Sequence, residues 1–242
     1  VPATAVPATA TPTPDRRAGE LRVLLANVGN SSLECKAYAY KLCLTEVEQR
    51  IAQGIHALKP DVVVLIEVWP TARCASIYDG QPERDPRKVC WPGAAHPYPH
   101  QVQRLVGPGY RIACDARFSW DCLAVREDRL ELAQCPGTGC LALKGLKTAP
   151  PILGCDPGFT VNAADVTRSP VGPFRIVLAH PDSQSRDCRR AQLNQAFALA
   201  GGGHTLLLGD FNLDPWRDRG PDVPDVDLWH AHVGPGRRFR YH

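Results

Sequence analysis

Four short apolar runs in this chain each stop at a polar side chain that a buried strand has no use for. Residues 21–28 carry Ala26-Asn27-Val28-Gly29-Asn30 at their end, and residues 61–68 deliver Glu67 among β-branched neighbours. Residues 174–179 lead to His180 and Pro181, and residues 205–208 run into Gly209-Asp210-Phe211-Asn212. A carboxylate at the end of an apolar strand is costly to bury unless a cation or hydrogen bonds compensate it. Two such carboxylates with Asn and His beside them would make a hard-cation site facing a hydrogen-bonding group. Taken singly, each has an ordinary reading. Glu67 would be a strand-end salt bridge, Asn27 a turn residue, His180 a strand-end hydrogen bonder, and Asp210 with Asn212 an Asx-turn. Their joint occurrence at four strand ends carries the argument.

The ten cysteines set the compartment. They are too many for an ordinary cytosolic enzyme, and an even, scattered set points to five disulfides formed in an oxidising environment. Pairing of neighbours (35–43, 74–90, 114–122, 135–140 and 155–188) closes the shortest loops, although connectivity cannot be read from spacing alone. The rival zinc reading lacks ligands: there is no Cys-x-x-Cys pair, and Cys135 and Cys140 have no second pair or His-x-x-x-His to complete four donors. The first fourteen residues, Val-Pro-Ala-Thr-Ala twice and then Thr-Pro-Thr-Pro, cannot pack, so residues 1–20 are expected to be a disordered spacer. With no initiator Met ahead of them, they fit a secreted chain whose signal peptide is gone, or equally an arbitrary boundary.

At 242 residues and 44% hydrophobic, the chain suits a single domain with a real core, which excludes wholesale disorder. No apolar run approaches the roughly 18 residues that cross a bilayer. A net charge of +3 is far from that of a non-specific nucleic-acid coat.

Periodicity supplies the elements. Residues 21–28 read as a buried strand. Thr45 and Glu48 have the spacing of a capping box, and Val47, Ile51, Ile55 and Leu58 form one face of a helix that ends before Pro60. Residues 61–68 read as a strand covered on both faces. Further strands are expected over 109–114, 121–126, 174–179 and 205–208, with a half-buried one over 159–166 where Phe159, Val161 and Ala163 alternate. Residues 186–200 form a helix with Leu193, Phe197 and Ala200 on one face, closed by Gly201–Gly203. The Pro- and Gly-rich stretch 79–108 reads as a long loop. Mixed strands and helices make the class α/β or α+β.

These residues resemble a known family. Leu-Arg-Val-Leu-Leu-Ala-Asn27, Asp61-Val-Val-Val-Leu-Ile-Glu67, Asp121-Cys-Leu-Ala-Val, Ile-Val-Leu-Ala-His180 and Leu-Leu-Leu-Gly-Asp210-Phe-Asn212 are similar to the motifs of the endonuclease/exonuclease/phosphatase superfamily, above all its secreted bacterial members. The resemblance implies a four-layer α/β sandwich, two packed mixed β-sheets with helices outside. It also implies phosphoester hydrolysis aided by Mg²⁺, Mn²⁺ or Ca²⁺. Carried onto this chain, Glu67 would bind the metal with Asn27 beside it, and Asp210 would join them. Asp210 and Asn212 would orient the attacking water and the phosphate, and His180 would hydrogen-bond the phosphoryl oxygens. The family closes with an Asp-His pair on a final strand, which nothing after Asn212 supplies. The terminal Arg237-Arg-Phe-Arg-Tyr241-His242 has no Asp beside its His. Residues 21–242 are therefore expected to be the family's domain, truncated before its last strand. The other explanation is impaired activity.

Other motifs fall away. Asp210-x-Asn212-x-Asp214 opens like an EF-hand loop, but Pro215 stands where Gly is needed and Pro221 where Glu is needed. His96 with His100, and His230 with His232, read as surface histidines rather than metal pairs. Arg186, Arg189 and Arg190 would contact a polyanion or simply solvate a helix start. The expected function is a secreted, monomeric, divalent-metal-dependent phosphodiesterase whose phosphoester substrate is nucleic acid. The alternatives are a sphingomyelinase-like phospholipase C and a catalytically impaired binding module on the same fold.

Overall fold

The computed structural model describes residues 19–29, 45–70, 98–201, 203–214 and 224–240. Its elements are, in chain order, β1 (Val23–Asn27), α1 (Thr45–Leu58), β2 (Val62–Ile66), α2 (Gln101–Val106), β3 (Tyr110–Cys114) and β4 (Cys122–Arg126). Three two-residue strands follow: β5 (Glu131–Leu132), β6 (Leu141–Ala142) and β7 (Lys147–Thr148). The second half holds β8 (Thr160–Arg168), β9 (Phe174–His180), α3 (Arg186–Leu199), β10 (Thr205–Gly209) and α4 (Pro224–His232). The Pro/Ala/Thr segment to residue 18, Cys35, Cys43, Cys74, Cys90, His96, the Thr45 side chain and His242 lie outside the described residues.

Both sheets are mixed. The first has the order β1-β2-β4-β3-β6, and the second has β10-β9-β8-β5 with β7 also on β8. Strand β2 shows why its run had to be apolar throughout. Its odd and even positions point to opposite layers, and both are covered. Val62, Val64 and Ile66 join Leu123, Val125, Ile176 and Leu178 between the sheets. Val63 and Leu65 pack instead with Ile55 of α1 and Val102 and Leu105 of α2. Outside the second sheet, Val161, Ala163 and Val177 meet Ala196 and Ala200, and Leu193 and Phe197 of α3 carry Trp229 and Val233 around α4. The result is four layers, helix–sheet–sheet–helix.

Several expectations need correction. The first strand is not buried: β1 lies at a sheet edge, where Val23 and Leu25 are 40% and 41% exposed while Leu24 and Ala26 face the helices. Strand β8 is not half-buried, because α3 covers one face and the first sheet the other from Thr160 to Ala164. Within 79–108, residues 101–106 are the short helix α2. It sends Val102, Leu105 and Val106 into the core and stops where Gly107 turns at φ 71°. His100 is not a surface histidine: it is fully buried as the N-cap of α2, its side chain accepting from Val102 N at 3.2 Å. His232 is half-buried and stacks on Phe197 at 4.3 Å.

Three of the neighbour cysteine pairs are formed among the described residues: Cys114–Cys122, Cys135–Cys140 and Cys155–Cys188. The first joins directly opposed positions of β3 and β4, and the last ties the 152–158 loop to the first turn of α3. His100 lies close to Cys114 and Cys122 in a geometry that would suit a metal. The disulfide consumes both thiols, so that trio holds none.

Candidate active site

Register decides which strand ends meet. β1 and β2 run parallel with Asn27 opposite Ile66, and β9 and β10 run parallel with Gly209 opposite Ala179. Asn27, Glu67, His180, Asp210 and Asn212 therefore emerge at one end of the sandwich, where they line a cleft of about 760 Å³. In open α/β sheets this end, beyond the C-termini of parallel strands, is where ligands bind. The sequence-derived residues are brought together without exception.

Asn27 sits at their centre. Its Nδ2 donates to Glu67 Oε1 at 3.1 Å and to Asp210 Oδ2 at 2.8 Å, while its Oδ1 accepts from Gly29 N at 2.8 Å. One amide thus joins two carboxylates from different sheets and is fixed in its own orientation. Glu67 has a left-handed backbone, φ 63°, which a non-glycine residue adopts only at a cost of about 1–2 kcal/mol. A Cβ on Gly29 would lie 1.8 Å from Glu67 Oε2, so any larger residue there would displace the carboxylate. Gly209 is held more strictly, since a Cβ there would meet the Ala179 backbone oxygen at 1.8 Å. The turn after β10 is an Asx-turn, with Asn212 N donating to Asp210 Oδ1 at 3.1 Å, and Asn212 Nδ2 donates to Pro181 O at 2.8 Å.

His180 is buried, with Nε2 3.7 Å from Glu67 Oε1 and Nδ1 3.2 Å from Asp121 Oδ1. Burial opposes its imidazolium, but the charge and hydrogen bond of Asp121, aided by Glu67 and Asp210, outweigh it. The pKa is raised above the ordinary histidine value. Asp121 is the group that sequence reasoning left out of the site. It belongs to the same pattern of polar residues at strand ends, but it precedes β4, which runs antiparallel to β2, so it arrives at the shared end from the other side. Its second oxygen accepts from Thr160 Oγ1 at 2.8 Å, Thr160 accepts from Asn162 Nδ2 at 2.8 Å, and Asn162 accepts from Thr148 Oγ1 at 2.6 Å. Thr148 then accepts from Ala116 N at 2.9 Å, so a chain of hydrogen bonds, buried at its His180 end, runs from His180 to the β3–β4 loop.

That loop supplies the aromatic part of the lining. Phe118 and Trp120 face the cleft with Phe159, which meets His180 edge-on at 5.2 Å. Of the three arginines at the start of α3, Arg189 is buried and donates to Asp182 O at 2.8 Å, so it anchors a loop, while Arg186 and Arg190 are exposed.

The Endonuclease/Exonuclease/phosphatase family model matches residues 24–242. No curated protein matches the chain in sequence. Among solved structures, D. rerio TDP2 complexed with a single-strand DNA product is similar at 16% identity and a TM-score of 0.51, over 86% of this chain and 64% of that one. A humanized D. rerio TDP2 with 14 mutations is similar at 15% identity and a TM-score of 0.50, over 80% and 63%. A Bacteroides thetaiotaomicron protein of the same family aligns at 14% identity and a TM-score of 0.47, over 86% and 66%. The chain spans about 64% of the length of the first of these structures.

Proposed function

The chain belongs to the endonuclease/exonuclease/phosphatase family, and on that premise we propose that its cleft hydrolyses phosphodiesters of nucleic acid with a divalent cation held by Glu67 and Asp210. The observation that carries this reading is the convergence of those two carboxylates on one amide, Asn27 Nδ2. Carboxylate oxygens are the donors that Mg²⁺, Mn²⁺ and Ca²⁺ take. Glu67, Asp156 and Asp210 line the cleft together with the amides of Asn27 and Asn212, an all-oxygen donor set that fits a hard cation. Such an ion, when bound, polarises a phosphoryl oxygen and stabilises the leaving oxygen.

The side chains of this chain do the rest. Asn27, which would stand beside that cation, fixes the angle at which both carboxylates face the cleft. Asp210 and Asn212, set by the turn after β10, orient the attacking water and the phosphate. Asp121 holds His180 Nδ1, which leaves Nε2 to donate to the phosphoryl oxygens as negative charge builds on them. The three disulfides support an oxidising, extracellular setting. No helix among the described residues is long and apolar enough to cross a membrane.

The test is substrate choice under metal control. Purified protein is offered DNA and sphingomyelin vesicles in Mg²⁺. The reading expects DNA cleavage that disappears in EDTA and in Glu67→Ala or His180→Ala. Turnover of vesicles alone would replace nucleic acid with lipid, and DNA cleavage surviving all three changes would overturn the metal-assisted mechanism.

A further inference from the structure

The cleft has an apolar side as well as a charged one. Phe118 stacks on Trp120 with centroids 4.5 Å apart and planes 26° from parallel, and Trp120 in turn leans on Trp69 at 4.7 Å. Phe118, Trp120 and Phe159 line the same space as Glu67, His180 and Asp210.

These rings stand on a rigid base. The buried Asp115 carboxylate accepts from four backbone N–H groups of the loop, those of Arg117, Phe118, Trp120 and Asp121, at 2.5–3.0 Å. Cys114–Cys122 closes the loop at its foot, and His100 Nε2 donates to Ser119 O at 2.8 Å. Trp120 also abuts the 156–159 loop, since a Cβ on Gly158 would come within 3.3 Å of its ring. A platform held this firmly loses little conformational entropy when a ligand settles on it.

Cleft chemistry narrows the ligand. Phe118, Trp120 and Phe159 supply the ring faces of that lining, beside the carboxylates and His180. A ring beside the reacting phosphate offers a stacking face, and a planar heteroaromatic base is what an aromatic face stacks best. In a duplex both faces of an internal base are covered by its neighbours, so a protein ring reaches a base face at least cost in an unpaired strand. A cleft of about 760 Å³ has room for a phosphate and a flanking nucleoside together. We propose that Phe118, backed by Trp120, is a stacking subsite for a nucleobase flanking the scissile phosphate, so that the substrate is unpaired nucleic acid. This rests on the reading of the cleft as a phosphodiesterase site.

The experiment compares two single-stranded oligonucleotides cleaved in Mg²⁺, identical except for one abasic tetrahydrofuran beside the scissile phosphate. In the wild type the base-bearing strand should have a kcat/KM roughly ten-fold higher, and the same sequence as a duplex should be cut more slowly. Phe118→Leu keeps apolar bulk without a π-face, and it should bring the ratio close to one. Phe118→Tyr should restore it. A ratio near one in the wild type, or one unchanged in Phe118→Leu, overturns the subsite even where both strands are cleaved. Absence of cleavage of either strand is the separate failure of the phosphodiesterase reading. In that case quenching of tryptophan fluorescence by adenosine monophosphate decides: quenching lost in Phe118→Leu supports the subsite, and no quenching overturns it. Preferential hydrolysis of sphingomyelin vesicles also overturns it.

Discussion

His180 Nδ1 lies 3.2 Å from Asp121 Oδ1, and Asp121 reaches it from the strand that runs antiparallel to β2. The contact leaves His180 Nε2 on the cleft side, near Glu67. Asp121→Asn keeps the shape but withdraws the charge that holds the imidazolium. Groups that orient a catalytic residue in this way are typically worth about 10- to 100-fold in activity. Turnover of bis(p-nitrophenyl) phosphate by Asp121→Asn should fall by that amount, with circular dichroism unchanged. Full turnover would show that His180 needs no partner.

Gly29 and Gly209 should separate activity from stability. Gly29→Ala drives a methyl group into the Glu67 carboxylate, which has to move. A displacement of that order costs about 100-fold in rate with a modest effect on the melting temperature. Gly209→Ala drives a methyl group into the backbone of Ala179, which cannot move without breaking the β9–β10 pairing. Its loss should appear in denaturant unfolding, at about 3 kcal/mol or more. Equal losses of stability in both variants would contradict the assignment of Gly29 to the site.

His100 makes stability depend on pH. Burial, the largest influence, outweighs its bond to Ser119 O, and nearby Arg104 adds to the effect, so the pKa is lowered to about 4. Its Nδ1 accepts from Val102 N, which a protonated ring cannot do. The sign follows from linkage: the unfolded chain takes up a proton below about pH 6.5, and the folded chain resists until about pH 4. Stability is fully present above pH 6.5 and declines as pH falls through that window, by ~1.4 kcal/mol per unit from this one group. Urea unfolding at pH 7, 6 and 5 measures the slope, and His100→Gln should flatten it.

The Cys155–Cys188 bridge spans 33 residues and fastens the loop beside Gly158 and Phe159 to α3. Chain-entropy reasoning gives a loop of that length a stabilising effect on the order of 3–4 kcal/mol. A Cys155→Ser, Cys188→Ser double variant should lose about that much in guanidinium unfolding. Fluorescence of Trp120, which touches that loop, should report whether the cleft loosens with it.

The strands were legible because their apolar runs are continuous and end in polar residues at a fixed place. The helices over 45–58 and 186–199 were legible because their apolar residues recur every three or four positions. The exposure of β1 was not, since an edge strand has the same composition as a central one and only the sheet order separates them. Helix α2 was hidden because it is six residues long beside a run of prolines and glycines, where punctuation outweighs periodicity. Asp121 was missed because it stands at the start of its strand rather than the end, and chain direction is a tertiary fact. The buried positions of His100 and Arg189 likewise depend on what packs above them. Local patterns named Asn27, Glu67, His180, Asp210 and Asn212, but only register could bring them into one cleft.

The central claim, hydrolysis dependent on a cation at Glu67 and Asp210, is tested most directly by the initial rate of bis(p-nitrophenyl) phosphate hydrolysis across a Mg²⁺ titration, for the wild type and Glu67→Gln. The account predicts a rate that saturates with Mg²⁺, vanishes in EDTA and falls more than about 100-fold in Glu67→Gln. Wild-type turnover undiminished by EDTA, or a Glu67→Gln enzyme as fast as the wild type, would contradict it.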